Sequence, residues 1–167
     1  MINNEEFNFI TEKMMIDGLD YHYNNYIEHR ESLHYYIKDM AIEKLDFNRQ
    51  KFYSMRHEVV SYINRMGQFK AFADYHNKSE LLPTILKFMP LRDKITAHRA
   101  IDKPRKNDNV PSVIMANNQV HGPVVALWGG NRFILQYKTD KGDLLNFDLI
   151  EEHQKIYKEA LLLFNDI

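Results

Sequence analysis

Residues 91–99 form the part of the sequence whose residue types are best suited to acid–base chemistry. The segment reads Leu-Arg-Asp-Lys-Ile-Thr-Ala-His-Arg and follows Pro90, so it brings Arg92, Asp93 and His98 close together in the chain. An arginine stays charged, and its planar fork of donors matches phosphate oxygens. A histidine titrates near neutral pH, so it can accept a proton and return it. This segment could therefore bind a phosphate and move a proton without a metal or a thiol.

Cleavage of RNA is a reaction that such groups could promote. The 2′-hydroxyl lies beside the scissile phosphate, so a base that removes its proton starts internal attack, and a cation stabilises the charge that builds on phosphorus. If Pro90 begins a new helix, Arg92 and Asp93 fall in its first turn, where unpaired N–H groups and the helix dipole favour an anion. Asp93 could orient a nearby histidine or arginine, or simply interact favourably with that dipole.

The six-residue separation of Arg92 and His98 has a geometric consequence. At about 100° per residue, the two side chains lie about 120° apart around a straight helix. One helix therefore separates them, and a compact site requires another helix or a second copy of the motif. A two-fold dimer axis beside this helix would supply that copy. The alternative is a structural role, in which the charges belong to an ordinary helix terminus and His98 is a hydrogen-bonded core residue.

Basic residues on both sides of His98 could hold an RNA backbone through salt-dependent phosphate contacts. They are Lys94, Arg99, Lys103, Arg105 and Lys106. Asp102 and Asp108 offset part of this charge, so a solvated loop face is the alternative interpretation.

The first hundred residues must position this motif, and their pattern predicts helices. No proline occurs before Pro83, and because proline costs about 3 kcal/mol inside a helix, long helices are allowed there. Apolar residues recur at helical spacing over residues 7–14, 19–41 and 52–73, which predicts a short first helix and two longer ones. Residues 80–101 are a fourth helical region, with Ser79 as a cap, Pro83 near the start, and Pro90 either kinking the helix or beginning a new one.

The composition of the chain and its predicted secondary structure change after residue 101. Residues 102–123 contain prolines and several asparagines and are predicted to form a long loop. Residues 124–149 contain short apolar runs between glycine-rich turns, which predicts a small antiparallel β-meander. Residues 150–167 are predicted to form a C-terminal helix, with one apolar face made of Ile156, Tyr157, Ala160, Leu161 and Phe164. At 167 residues, the chain has the length of one domain, with residues 1–101 as its helical core.

Composition excludes several classes of protein. The 22 lysines and arginines nearly balance 23 acidic residues, so any anion site must be local. The absence of cysteine removes disulfides, zinc ribbons and thiol nucleophiles, and fits the reducing cytoplasm. No secretory signal and no run of about 18 apolar residues occurs, so no membrane contact is expected.

A metal site in a helical bundle is the remaining alternative. Glu31 and His34 form the Glu-x-x-His half-motif of di-iron bundles, but the sequence has no second copy. His22 and His29 lie seven residues apart on one helix face and could join His57 around a metal. Scattered histidines are more often surface or hydrogen-bonded residues, so we predict neither a metal nor another cofactor.

Residues 91–98 resemble the signature of the HEPN superfamily (higher eukaryotes and prokaryotes nucleotide-binding). That signature is an arginine, a polar residue such as Asn, Asp or His directly after it, and a histidine a few residues further on, which here are Arg92, Asp93 and His98. The sequence pattern Arg-Asp-Lys-x-x-Ala-His is similar to that of the branch related to phage abortive-infection proteins. The helices before the motif and the C-terminal helix also suit that all-helical family.

The resemblance implies a homodimer whose two motifs face each other and cleave RNA without a metal, leaving a cyclic phosphate. It assigns phosphate binding to Arg92, base or acid chemistry to His98 and an orienting role to Asp93. It also implies a toxin or phage-defence setting with an antitoxin or a nucleotidyltransferase as partner. Some relatives carry a tyrosine two residues after the histidine that such a partner modifies; Ala100 stands there in this chain.

The expected fold is therefore mainly α: an up-down, HEPN-like helical bundle with a small antiparallel β-meander before the C-terminal helix. The expected function is metal-independent endoribonuclease activity at a dimer interface. Because some HEPN proteins are not nucleases, a non-catalytic dimerisation or interaction module is the alternative.

Overall fold

The computed structural model of the chain describes residues 4–37, 45–97, 114–116, 119–121, 124–129, 132–138 and 143–166. These residues are mainly helical, with antiparallel strands before the last helix, as the sequence predicts. The helices are α1 (Asn4–Ile37), α2 (Leu45–Tyr75), a 3-10 turn (Ser79–Leu81), α3 (Pro83–Ala97) and α4 (Leu149–Asn165). The strands are β1 (Ile114–Ala116), β2 (Gln119–His121), β3 (Val124–Gly129), β4 (Arg132–Lys138) and β5 (Leu144–Asp148).

Helix α1 is a single element, whereas the sequence predicted a short helix followed by a second one. Gly18 does not interrupt it, because a glycine costs a helix only about 1 kcal/mol and packing against α2 outweighs that cost. Gly18 lies against Arg65 of α2, and His22 contacts Glu58 one turn further along α1. Residue numbers rise in α1 as they fall in α2, so the two helices are antiparallel.

Helix α2 confirms the predicted apolar stripe over its described side chains. Met55, Val59, Ile63, Met66, Phe69 and Ala73 are all buried. The helix ends at Tyr75, and two residues later Asn77 is left-handed, with φ of 55°. The backbone N–H of Lys78 donates to the carbonyl of Ala73 at 2.8 Å. This arrangement is typical of a helix C-terminus, and it turns the chain toward α3.

Helix α3 begins at Pro83, as predicted, and continues through Pro90 to Ala97. Of the two alternatives predicted for Pro90, a kink or a fresh helix, the fresh helix is therefore wrong. Pro90 is exposed, while Phe88, Met89 and Leu91 beside it are buried. Burial of these neighbours outweighs the cost of an interior proline, which removes one backbone hydrogen bond.

The strands form two small antiparallel groups. Strands β1 and β2 pair antiparallel inside the region that was predicted to be loop, which corrects that prediction for residues 114–116 and 119–121. Strands β3, β4 and β5 form the predicted meander in that order. Phe133, Leu135 and Tyr137 of β4 alternate into the core, as expected for a sheet with one covered face.

Helix α4 closes the core. Asp148 caps it by accepting the backbone N–H of Ile150 at 3.0 Å. Of the predicted apolar face, Ile156 and Ala160 are buried, but Leu161 is 36% exposed and Leu163 is buried instead. One hydrophobic cluster contains buried residues from all four helices and from β4 and β5. None of the described helices combines the length and apolarity that a bilayer crossing requires.

Candidate functional site

The described part of the predicted motif lies on α3, at the boundary between core and solvent. Leu91 is fully buried, and Ile95, one turn later, packs partly buried against the core. Arg92 comes next around the helix with 40% of its side chain exposed, and Asp93 follows with 68% exposed. The pair Leu91 and Ile95 thus sets the rotation of α3, and that rotation places Arg92 at the edge of the core.

The guanidinium of Arg92 lies between α2 and Asp93. Its Nε atom is buried, and a Cβ atom added to Gly67 of α2 would stand only 2.7 Å from it. Its Nη1 atom donates to Oδ1 of Asp93 at 3.1 Å. The guanidinium therefore packs against the backbone of α2, and its hydrogen bond to Asp93 fixes its orientation. Part of the side chain stays exposed to solvent. This geometry is compatible with the orienting role that the resemblance gives to Asp93.

The other predicted site residues lie outside the described part of the chain. These are His98, Arg99, Lys103, Arg105 and Lys106, together with the side chain of Lys94. The structure therefore shows the contact between Arg92 and Asp93. The acid–base role of His98 and the binding of an RNA backbone by the basic residues stay predictions. His98 is the next residue in the sequence after the end of α3.

The prediction that a helix N-terminus contributes to phosphate binding at Arg92 is wrong. Arg92 is nine residues past the start of α3 at Pro83, or about 13 Å along the axis at 1.5 Å per residue. The helix dipole acts mainly within the first turn. That first turn is already occupied: the buried carboxylate of Glu159 accepts the backbone N–H groups of Thr84 at 2.8 Å and Ile85 at 3.1 Å.

Two of the histidines that were considered for a metal site, His22 and His57, have other surroundings, and the side chain of His34 lies outside the described part of the chain. Nδ1 of His22 lies 2.7 Å from Oε2 of Glu58, with both side chains largely buried. His57 and Glu31 are exposed on the surface. Across the described residues, no group of three or more histidine and acidic side chains is placed to hold a metal ion.

A polar cluster that the sequence did not reveal lies between α1, α2 and α4. His153 of α4 is its centre: Nδ1 lies 2.9 Å from the hydroxyl of the fully buried Tyr62, and Nε2 lies 3.7 Å from Oδ1 of Asp20. The ring of Tyr23 stacks on the imidazole, with centroids 3.7 Å apart and planes 6° from parallel. Tyr157 lies one turn further along α4, with its ring centroid 5.7 Å from that of His153.

The protonation states in this cluster follow from burial. Burial raises the pKa of Tyr62, helped by the negative charge of Asp20. Nε2 of His153 faces the carboxylate of Asp20, which favours the tautomer that leaves Nδ1 as the acceptor of the Tyr62 hydroxyl. The N–H of His153 then lies at Nε2, facing Asp20. Burial also lowers the pKa of His153, and the nearby Asp20 only partly opposes this. A neutral imidazole thus joins three helices, which is a structural role.

One signal in the sequence could have revealed His153. The predicted apolar face of the last helix contains Ile156 and Tyr157, and His153 precedes them by three and four residues. That spacing places all three on one face, so a histidine there should face the core and require partners. The partners themselves, Tyr62 and Asp20, are distant in sequence and have no local signature.

Comparison with known proteins finds no matching family model, no matching curated protein and no matching solved structure.

Proposed function

We propose that this chain is a cytoplasmic, metal-independent endoribonuclease of the HEPN type, with an up-down helical bundle that acts as a homodimer. The setting proposed is a toxin–antitoxin or phage-defence system, with an antitoxin or a nucleotidyltransferase as the regulating partner. The single observation that carries the proposal is the half-exposed guanidinium of Arg92, held between Gly67 and Asp93.

A cation in this position suits phosphate chemistry for a physical reason. The charge that develops on phosphorus is stabilised most by groups that are already in place, because they need no reorganisation during the reaction. Arg92 meets that condition through its contacts with α2 and Asp93, and its exposed part remains within reach of a backbone phosphate. Neutralising that charge requires no metal ion.

The proposed reaction is an internal transfer. His98 of one protomer removes the proton from the 2′-hydroxyl, and the 2′-oxygen attacks the adjacent phosphorus. The bond from phosphorus to the 5′-oxygen breaks, and the leaving oxygen takes the proton from the same His98, which the first step has protonated. Arg92 stabilises the extra charge on the phosphoryl oxygens. The products are a 2′,3′-cyclic phosphate and a 5′-hydroxyl end.

The test is RNA cleavage in the presence of EDTA by the wild type, His98→Ala and Arg92→Ala, with folding checked by circular dichroism. Loss of the histidine should lower the rate by about 10²–10⁴-fold, and loss of the arginine by about 10²–10³-fold. The wild-type products should carry cyclic phosphates. Equal cleavage by all three proteins would reject the proposal.

A second candidate is a non-catalytic dimerisation module. The contact between Arg92 and Asp93 favours it, because it engages the guanidinium within its own subunit at 3.1 Å, as an ordinary surface ion pair does. This candidate predicts that His98→Ala weakens the dimer while the wild type leaves RNA intact. Sedimentation of the two proteins, alongside the cleavage assay, separates the candidates.

A further inference from the structure

One glycine of α2 lies directly beneath the guanidinium of Arg92. A Cβ atom at Gly67 would stand 2.7 Å from Nε, 3.1 Å from Cζ and 3.3 Å from Cδ of Arg92. The first distance is shorter than any ordinary non-bonded contact, so no larger residue fits while Arg92 keeps its place. Gly67 lies in the interior of a regular helix, where glycine is otherwise unfavourable. Space for the arginine is therefore the physical reason that a glycine suits this position.

We propose that Gly67 is a positioning residue for Arg92. The absence of a side chain at this point of α2 lets the guanidinium approach the helix closely, and it sets how far the charged group projects from the surface. The catalytic consequence rests on the proposed ribonuclease function, whereas the positioning itself rests on the contact geometry alone.

The contacts at the two ends of the guanidinium explain why a single methyl group matters. The Nε end is buried against α2, and the Nη1 end donates to Asp93. A methyl group at Gly67 would stand 2.7 Å from Nε, closer than van der Waals contact, so the arginine side chain must move away from α2. This movement changes the geometry of the hydrogen bond to Asp93. The guanidinium is then no longer fixed in the position where it would bind a phosphate.

The chain offers a matched control at Gly18 of α1. A Cβ atom there would stand 3.2 Å from Nε of Arg65, with its next contacts at 3.4 Å. Arg65 also donates to a side chain on its own helix, Gln68, at 3.0 Å. Gly18→Ala thus adds the same methyl group beneath an arginine in another long helix, with a milder contact and away from the motif. It controls for the gain in helix propensity that both substitutions bring.

The first experiment measures the position of Arg92 without any reference to activity. The arginine Nε–H groups are recorded by nitrogen-15 NMR in the wild type, Gly67→Ala and Gly18→Ala, with Arg92→Ala to assign the signal. In the wild type, the Arg92 Nε–H should be protected from exchange with water, because the atom is buried. Gly67→Ala should abolish that protection, and Gly18→Ala should retain it. Equal protection in the wild type and Gly67→Ala overturns the positioning role.

The second experiment measures RNA cleavage in EDTA. Gly67→Ala should lower kcat/KM by about 10- to 100-fold, as expected for displacement of a catalytic group by about 1 Å. The loss should fall mainly on kcat, since a cation held in place acts on the transition state. Gly18→Ala should leave both constants unchanged. In an Arg92→Ala background, Gly67→Ala should cause no further loss, because the group that it positions is gone.

The outcomes separate the two proposals. A wild type that does not cleave RNA, or an Arg92→Ala variant that cleaves as well as the wild type, rejects the ribonuclease function while the NMR measurement still decides the positioning role. A displaced Arg92 with undiminished cleavage rejects the catalytic consequence alone. Independent, additive losses from the two substitutions overturn the claim that Gly67 acts through Arg92.

Discussion

The hydroxyl of Tyr62 lies 2.9 Å from Nδ1 of His153, and this contact joins α2 to α4 inside the bundle. Both helices pack against the core whose edge carries Arg92. Tyr62 is fully buried, so its hydroxyl has no access to bulk water. The contact therefore stabilises the fold, and its removal should be visible in unfolding measurements.

Replacing Tyr62 with phenylalanine leaves Nδ1 of His153 without its donor. An unsatisfied buried polar group costs about 1–3 kcal/mol, so Tyr62→Phe should lower the free energy of unfolding in urea by that amount. Tyr75→Phe is the matched control, because Tyr75 is 82% exposed and exposed substitutions usually change stability by less than about 0.5 kcal/mol. Equal effects of the two substitutions would contradict the role of Tyr62.

The free energy of unfolding should decrease as the pH decreases, because of His153. Burial holds the pKa of His153 below that of an unfolded histidine, which is about 6.5. The folded state therefore binds fewer protons, so the stabilisation is present above about pH 6.5 and is lost as the pH falls from there through the lower folded pKa.

Urea unfolding at pH values between 5 and 8 (roughly, the range in which histidine titrates) measures this effect. His153→Gln should flatten the pH dependence relative to the wild type, while His57→Gln, at an exposed position, should not. Parallel pH profiles for the wild type and His153→Gln would show that this histidine does not contribute.

The start of α3 should depend on Glu159. Glu159→Ala removes the acceptor of the N–H groups of Thr84 and Ile85, and loss of a helix cap costs about 0.5–2 kcal/mol. Gln154→Ala, on the exposed face of the same helix, is the control and should be nearly neutral. We expect thermal and urea unfolding to distinguish the two variants clearly, and indistinguishable curves would argue against the cap.

Asp93 should matter for cleavage through its hydrogen bond rather than through its charge alone. Asp93→Asn keeps an oxygen that can accept from Nη1 of Arg92, whereas Asp93→Ala removes the acceptor. RNA cleavage in EDTA should therefore decline in the order wild type, Asp93→Asn, Asp93→Ala, with the largest step of about tenfold or more. An alanine variant that cleaves better than the asparagine variant would contradict the orienting role.

The sequence predicted those parts of the fold that depend on local periodicity. The stripe from Met55 to Ala73 is buried as expected, because amphipathic spacing reports which face of a helix meets the core. The meander of β3–β5 was also predicted, since its turns carry local signals. Neither prediction required knowledge of what the elements pack against.

The errors arose where tertiary packing outweighs local preference. Gly18 and Pro90 both weaken a helix, yet each lies inside a continuous one, because buried neighbours supply more free energy than the local penalty. The same limit applies to the site. The motif identified Arg92 and Asp93. Gly67 lies beneath Arg92 because α2 packs against α3 there, and no local sequence pattern predicts which residues of two helices will be in contact.

The most direct test of the central claim uses two inactive variants together. If the site combines Arg92 of one protomer with His98 of the other, mixing Arg92→Ala with His98→Ala under conditions of subunit exchange creates heterodimers with one complete site. The mixture should then cleave RNA in EDTA, although neither variant does so alone and the wild type does. A mixture as inactive as its components, beside an active wild type, would contradict a site shared between protomers.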